Sequence, residues 1–252
     1  MTSPLLTQEM LRVLVLLDQP LIADMVRLTL NHGQFVTREV TDTQAASKAL
    51  TEWQAQLAVV DIEFGGHALI SELTNSGSAI SRIPVLALTR RGDLKTKLAA
   101  FEAGVEDIMV VPFSPEELLA RVLVMTRRKY TRPAPLTPTL KVGDLELDIL
   151  NRQVRVGTST LHLTGLEQSL LYLLVGSAGT VITRQEVLDA LWGVDFVAES
   201  NVVDRHIRSL RAKLQNDWRK PRFIETVPGH GYRFIPTIAE EPAVEGESAI
   251  QA

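Results

Sequence analysis

The first half of the chain alternates short apolar runs with amphipathic stretches. The apolar runs are rich in branched residues, as buried parallel strands are, and they occupy 11–17, 57–61, 84–89 and 108–111. A more polar run at 34–40 is typical of an edge strand. Helical patterns lie between the runs, near 20–31, 43–53, 67–75, 92–103 and 115–128. Five strand–helix units predict an open, doubly wound α/β domain.

The second half changes to polar–apolar alternation. Residues 140–163 alternate in this way between glycine turns, which predicts a small antiparallel sheet. Two helices follow, and each is predicted to begin with a capping box: Thr164 with Glu167, and Thr183 with Glu186. A further helix is predicted at 201–214, and 223–235 is typical of two strands joined by a turn. This half is therefore predicted to be an α+β domain.

A basic, proline-rich segment separates the two halves. Its prolines limit flexibility without allowing it to fold, so we interpret it as a linker. After residue 236 the chain carries four acidic and no basic residues, which predicts a disordered acidic tail. The predicted organisation is a first domain at 1–126, a linker at 127–139, a second domain at 140–236 and a tail at 237–252.

The composition of the chain excludes several classes of protein. The chain has no cysteine, which excludes disulfides and thiolate metal sites. It has no run of eighteen apolar residues and no signal-peptide pattern at the start, so we expect a cytoplasmic protein that does not enter the membrane. The five histidines are scattered, and none pairs at the spacing of metal ligands.

One short segment is strongly basic although the net charge is −4. Residues 201–222 hold seven basic and two acidic groups. Within the predicted helix, apolar residues recur at spacings of four, three and four, which predicts one buried stripe: Val203, Ile207, Leu210 and Leu214. Arginines and a serine fall on the opposite face, and such a face suits the DNA major groove. A merely solvated helix face explains the charge alone equally well.

The whole second domain resembles the winged-helix effector domain of OmpR/PhoB-type response regulators. The matching stretches are "LTGLEQSLLYLL", "RQEVLDALWG", "NVVDRHIRSLRAKL" and "PRFIETVPGHGYRF". The resemblance implies that 201–214 is the recognition helix and 229–231 the tip of the wing. It implies DNA contacts from the helix, by Arg205, His206, Arg208, Ser209 and Arg211. The hairpin residues themselves predict contacts with phosphates or the minor groove, by His230, Tyr232 and Arg233. Pro228 departs from the arginine usual before the wing glycine, which puts a minor-groove contact in doubt.

The first domain resembles the receiver of the same family, a flavodoxin-like fold with strand order 2-1-3-4-5. Ligands of open parallel sheets bind at the carboxyl ends of the strands. Asp61 matches the phosphoacceptor, Asp18 matches one of the paired metal-binding acids, and Thr89 matches the conserved hydroxyl. A plainer interpretation, which we favour, is that both acids persist as satisfied polar groups at strand ends.

Three other positions depart from the receiver pattern. Leu17 replaces the second acid, Ile108 the switch aromatic and Val111 the invariant lysine. A charge-assisted hydrogen bond from that lysine is worth roughly 1.5–3 kcal/mol, so valine forfeits a factor of about 10–150 in stabilising an acyl phosphate. Losing one of two acids likewise weakens a Mg²⁺ site. We expect a receiver impaired in phosphoryl transfer, with the Val111–Pro112 peptide still cis as the resemblance implies.

The resemblance also implies a symmetric dimer face with ion pairs on the last helices and strand of the receiver. The matching positions, called the candidate dimer face below, are Lys97, Asp107, Glu117 and Arg121. Ordinary surface charge is the alternative.

We therefore predict a transcription regulator, not an enzyme. It binds double-stranded DNA, and its receiver serves homodimerisation or partner contact, including RNA polymerase or a sensor kinase. It requires no cofactor, and Mg²⁺ at Asp18 and Asp61 is weak at most. Two alternatives stay open: a phosphorylation-activated switch with Asp61 as nucleophile, and an adaptor that acts through protein contacts.

Overall fold

The computed structural model describes residues 10–31, 35–66, 70, 83–129, 139–149, 151–193, 196 and 201–236. The helix predicted near 67–75, most of the predicted linker and the predicted tail lie outside the described residues. Within the described part of the chain, no helix is both long and apolar enough to cross a membrane.

The first lobe is built on a parallel sheet of five strands. Their bounds are β1 (Leu11–Leu16), β2 (Phe35–Val40), β3 (Leu57–Asp61), β4 (Val85–Thr89) and β5 (Asp107–Val110). The strand order is β2-β1-β3-β4-β5, which confirms the predicted doubly wound topology. The helices described with it are α1 (Pro20–Leu30), α2 (Thr43–Glu52), α3 (Leu94–Glu102) and α4 (Pro115–Lys129).

This topology brings the carboxyl ends of the strands together. Strands β3 and β4 are buried along their whole length, which explains their continuous apolar composition. Asp18 follows β1, Asp61 ends β3, Thr89 ends β4 and Val111 follows β5. Because parallel strands end at one edge of the sheet, these four positions lie at the same edge. The Val111–Pro112 peptide at this edge is cis, as expected.

In its described residues, the second lobe holds two antiparallel sheets and three helices. Strands β6 (Thr139–Val142), β7 (Leu145–Asp148), β8 (Gln153–Val156) and β9 (Ser159–Leu161) form the predicted meander. Next come α5 (Gly165–Gly176), β10 (Val181–Thr183), α6 (Arg184–Trp192), α7 (Val202–Lys213), β11 (Ile224–Val227) and β12 (Gly231–Phe234). Both predicted capping boxes are present. Strand β10 was not predicted, because three residues are too few to show a period.

Two glycines shape the hairpin between β11 and β12. Gly229 has φ +75° in the turn, a conformation that other residues rarely adopt. Gly231 begins β12 where it passes β10, and an added Cβ would lie 2.0 Å from the carbonyl oxygen of Ile182. The sheet order β10-β12-β11 therefore requires glycine at 231.

The two lobes touch through α1 and α5. The Ser177 hydroxyl donates to Asp24 Oδ2 at 3.0 Å, and Arg152 pairs with Glu116 at 3.5 Å. Apolar residues of both lobes belong to one continuous buried cluster. The contact leaves the arginines Arg205 and Arg208 of α7 exposed.

Candidate functional site

Helix α7 is anchored by one apolar face, as predicted. Its stripe is buried, since Val203 is 5% exposed and Ile207, Leu210 and Leu214 are 1% exposed or less. Arg205 and Arg208 lie on the exposed side. Among the described residues neither arginine has an ion-pair partner, so both guanidinium groups face solvent with their charge available to an anion.

Ser209 and Lys213 of α7 turn toward the start of α5. The Ser209 hydroxyl donates to Glu167 Oε1 at 2.7 Å, and Lys213 Nζ contacts Glu167 Oε2 at 2.6 Å. Burial opposes ionisation of Glu167, but the bonds from Lys213, Ser209 and Thr164 outweigh it and lower its pKa to about 2. Glu167 thus ties α7 to α5. The DNA contact predicted for Ser209 stays a prediction, and in this structure its hydroxyl is engaged within the lobe.

A polar network joins α6, α7 and the hairpin. Arg184 pairs with Asp204 at 2.9 Å, and the Tyr232 hydroxyl also donates to Asp204. Burial and the neighbouring Asp204 raise the pKa of Tyr232 to about 12, so the donor stays protonated. Tyr232 is 3% exposed. The structure therefore places Tyr232 as a support for the hairpin, and the DNA contact predicted for it stays a prediction.

Arg211 supports the same hairpin. Its guanidinium donates to the Ile224 carbonyl oxygen at 3.1 Å and to Thr226 Oγ1 at 2.9 Å, and it lies 5.6 Å from the centre of the Tyr232 ring. Burial lowers the pKa of Arg211. The side chain is half-buried, so any DNA contact has to come from the part of the group that these bonds leave open.

The remaining predicted DNA residues lie around this core. His230 is exposed at the turn, with Nδ1 3.0 Å from the Pro228 carbonyl oxygen. Arg233 is paired with Glu225 across the hairpin. His206 is half-buried, and its ring lies 5.5 Å from that of Trp192. Of the eight predicted residues, Arg205, Arg208 and His230 are the most openly presented.

The receiver edge brings together the three residues predicted there and two that were missed. We call this group the acid pocket: Asp18, Asp61, Glu63, Thr89 and Arg90. Arg90 contacts Asp18 Oδ2 at 3.1 Å and Asp61 Oδ2 at 3.5 Å. Leu17 and Val111 line the same small cleft. A guanidinium therefore bridges the two acids beside an apolar wall.

Asp61 lies almost fully buried at the end of β3. It is 8% exposed and accepts the Glu63 backbone N–H at 2.8 Å. Burial, followed by the neighbouring Glu63 and Asp18, raises the pKa of Asp61 to about 7, and Arg90 only partly opposes this rise.

The acid pocket does not fit the divalent cation that receivers use. Arg90 contacts one oxygen each of Asp18 and Asp61, and Leu17 offers no oxygen where a second acid would bind. Among the described residues, no cluster of three or more histidine or acidic side chains is arranged to hold a metal ion. The chemistry of these residues favours an internal ion pair over Mg²⁺.

The candidate dimer face carries an internal ion pair and an apolar stripe. Arg121 contacts both Asp107 and Glu117 at 2.7 Å within the chain. Helix α3, which packs against β5, exposes an apolar stripe of Leu94 (70% exposed), Leu98 (51%) and Phe101 (48%). Sequence reasoning missed this stripe, although its spacing of four and three was visible. Contiguous exposed apolar side chains commonly mark an interaction surface.

Comparisons with known proteins agree with both lobes. Residues 13–123 match the response regulator receiver domain, and residues 157–234 match the C-terminal domain of transcriptional regulatory proteins. The DNA-binding response regulator MtrA of Mycolicibacterium smegmatis is 32% identical over 225 residues, which are 89% of this chain and 97% of MtrA. The transcriptional regulatory protein PrrA of Mycobacterium leprae is 34% identical over 221 residues, which are 88% of this chain and 94% of PrrA.

The solved structure of DrrB, an OmpR/PhoB homologue from Thermotoga maritima, covers 90% of this chain and 100% of its own, at 26% identity and a TM-score of 0.43. A receiver followed by a winged-helix domain defines a DNA-binding response regulator. More specifically, this chain belongs to the OmpR/PhoB-type response regulators of two-component systems.

Proposed function

We propose that this regulator controls transcription with a receiver that works without phosphorylation at Asp61. The observation that carries the proposal is the Arg90 guanidinium, which contacts both Asp18 and Asp61. In that position it competes with any metal ion and covers the oxygen that would attack a phosphodonor. Val111 adds no charge that would stabilise an acyl phosphate.

The proposed role of the receiver is self-association. The apolar stripe lies on α3, which also carries Lys97 and packs against β5, whose Asp107 pairs with Arg121. An apolar centre with charged groups around it would result. Interfaces between proteins are commonly built in this way. We propose that two copies meet through this surface and present two copies of α7 to duplex DNA. No cofactor is required in this scheme, and contacts with RNA polymerase or a sensor kinase remain predictions.

The decisive variant is Asp61→Ala. We expect its affinity for target DNA and its regulation of a reporter gene in cells to stay near those of the wild-type chain. Loss of regulation in a folded, dimeric Asp61→Ala protein would refute the proposal and favour phosphorylation at Asp61 instead.

A chemical assay tests the same point directly. The wild-type chain is incubated with Mg²⁺ and acetyl phosphate, and its intact mass is recorded. We expect no phosphoryl adduct. The matched positive control is the variant Leu17→Asp, Arg90→Ala, Val111→Lys, which rebuilds the acids and the lysine and is expected to gain one phosphoryl group on Asp61.

A further inference from the structure

The Thr89 hydroxyl is held by an acidic side chain that belongs to the chain itself. Thr89 is 1% exposed, so its hydroxyl has to find a partner inside the protein. It donates to Glu63 Oε1 at 2.7 Å. Glu63 follows Asp61 by two residues, and its backbone N–H donates to Asp61 Oδ1 at 2.8 Å, which fixes where the Glu63 segment begins.

Glu63 is well suited to be a permanent acceptor. An ionised glutamate side chain only accepts hydrogen bonds, and its Oε1 receives the Thr89 hydroxyl. A hydroxyl bound to a charged acceptor makes a stronger hydrogen bond than one bound to a neutral group. The rest of the Glu63 side chain reaches solvent, so the charge is not fully desolvated.

The fixed Thr89 hydroxyl also holds the loop that leads into α3. The Arg91 backbone N–H donates to Thr89 Oγ1 at 2.9 Å. The Thr89 hydroxyl therefore donates to Glu63 while its oxygen accepts from the loop. Two residues later Asp93 caps α3 by accepting the Thr96 N–H at 2.9 Å. The first residue of α3 is Leu94, which begins the apolar stripe.

The strand carrying Thr89 is also tied to the charged part of the candidate dimer face. Thr89 lies opposite Val110 in the β4–β5 register, and Leu86 lies opposite Asp107. The Val111 N–H donates to the Thr89 carbonyl oxygen at 2.8 Å. A shift at the end of β4 would therefore move both the start of α3 and strand β5.

We propose that Glu63 is a positioning residue: it is the resident acceptor that fixes Thr89 and, through Arg91, holds the start of α3 in the arrangement that presents the dimer face. The inference rests on the proposed function. A receiver that works without phosphorylation needs a fixed conformation, and the bond between Glu63 and Thr89 supplies it. Glu63 would hold Thr89 in this way without a phosphodonor or a metal ion.

The test uses hydrogen exchange of the full-length protein, read at the peptide that covers residues 89–93. Glu63→Ala and Thr89→Val should each raise the exchange rate of this peptide about tenfold, as expected for the loss of one charge-assisted hydrogen bond. Each should also raise the dissociation constant of the dimer several-fold in sedimentation. Thr89→Ser keeps the hydroxyl and should behave as the wild type.

The double variant Glu63→Ala, Thr89→Val separates a shared role from two independent ones. Because Thr89→Val also removes the acceptor of the Arg91 N–H, the double variant should be no worse than Thr89→Val alone if Glu63 acts only through Thr89. Additive effects would overturn the proposal, and so would a Glu63→Ala protein that exchanges and dimerises as the wild type does. Glu52→Ala, which removes an exposed acid from α2, is the matched charge control and should change neither readout.

Glu63→Gln is the safeguard against unfolding. It keeps an acceptor oxygen but loses the charge, so the exchange rate should lie between those of the wild type and Thr89→Val. A wild-type rate for Glu63→Gln together with a wild-type dimer would count against a charged acceptor. Asp61→Ala is measured in parallel: loss of regulation there refutes the proposed function, while exchange at 89–93 still reports on Glu63 separately.

Discussion

The sharpest prediction concerns Glu167, the buried acid that ties α7 to α5. Glu167 is 4% exposed and contacts Lys213 at 2.6 Å, Ser209 at 2.7 Å and the Thr164 N–H at 2.7 Å. Its pKa falls from 4.5 to about 2 in the folded protein. Since one pKa unit corresponds to about 1.4 kcal/mol, ionised Glu167 contributes about 3 kcal/mol to the free energy of unfolding.

The pH dependence of this contribution has a definite sign. The folded-state pKa lies below the unfolded value, so the stability is fully present above about pH 4.5 and is lost as the pH falls toward 2. We expect Glu167→Gln to lower the free energy of unfolding by about 2–3 kcal/mol at pH 7. The deficit should shrink by about 1.4 kcal/mol by pH 3.5, because the wild-type carboxylate is by then mostly protonated in the unfolded state and still ionised in the folded state.

The assay is urea unfolding in a Trp53→Phe background, so that fluorescence comes only from Trp192 and Trp218 of the second lobe. Glu186→Gln is the matched control: Glu186 closes the capping box of α6 but is exposed, and the loss of a cap there should cost about 1 kcal/mol or less. A deficit for Glu167→Gln that is the same at every pH, or no larger than that of Glu186→Gln, would refute the reasoning.

The other predictions concern DNA and self-association. Arg208→Ala should weaken binding to a target duplex about tenfold and flatten the salt dependence, measured by fluorescence anisotropy over a KCl series; Arg155→Ala, an exposed arginine on β8, is the control. Equal binding by wild type and Arg208→Ala would favour the adaptor alternative. Leu98→Asp should shift the chain toward monomer in sedimentation, because it places a charge in the apolar stripe; an unchanged dimer would exclude this surface. Reversing Asp107 or Arg121 singly should weaken self-association modestly, by about 0.2–1 kcal/mol, and exchanging both should partly restore it.

Local signals in the sequence were sufficient for most of the fold. Four apolar runs and the more polar run at 34–40 predicted the five parallel strands, whose order came from the family resemblance, and the spacing of Val203, Ile207 and Leu210 predicted the buried face of α7. Both capping boxes formed where their residues stand three apart. These features depend on contacts within one element, where the period of the element fixes which side chains share a face.

The sequence predicted three residues of the acid pocket and missed two. Asp18, Asp61 and Thr89 were placed correctly at one edge of the sheet, since strand order alone decides that. Arg90 and Glu63 were missed, although each stands within two residues of a predicted site residue. The direction in which a side chain leaves a strand end depends on the turn that follows, and no periodic pattern encodes it.

In the second lobe, partners that are distant in sequence decide which polar residues of α7 remain free. The sequence determined that α7 is a basic amphipathic helix, because helical spacing is a local property. Only the tertiary structure decided which of its polar residues remain free: Ser209 and Lys213 are drawn to Glu167, more than forty residues away, while Arg205 and Arg208 stay exposed. A buried carboxylate has to be satisfied by whichever donors the packing brings near it, and that choice is made by the fold as a whole.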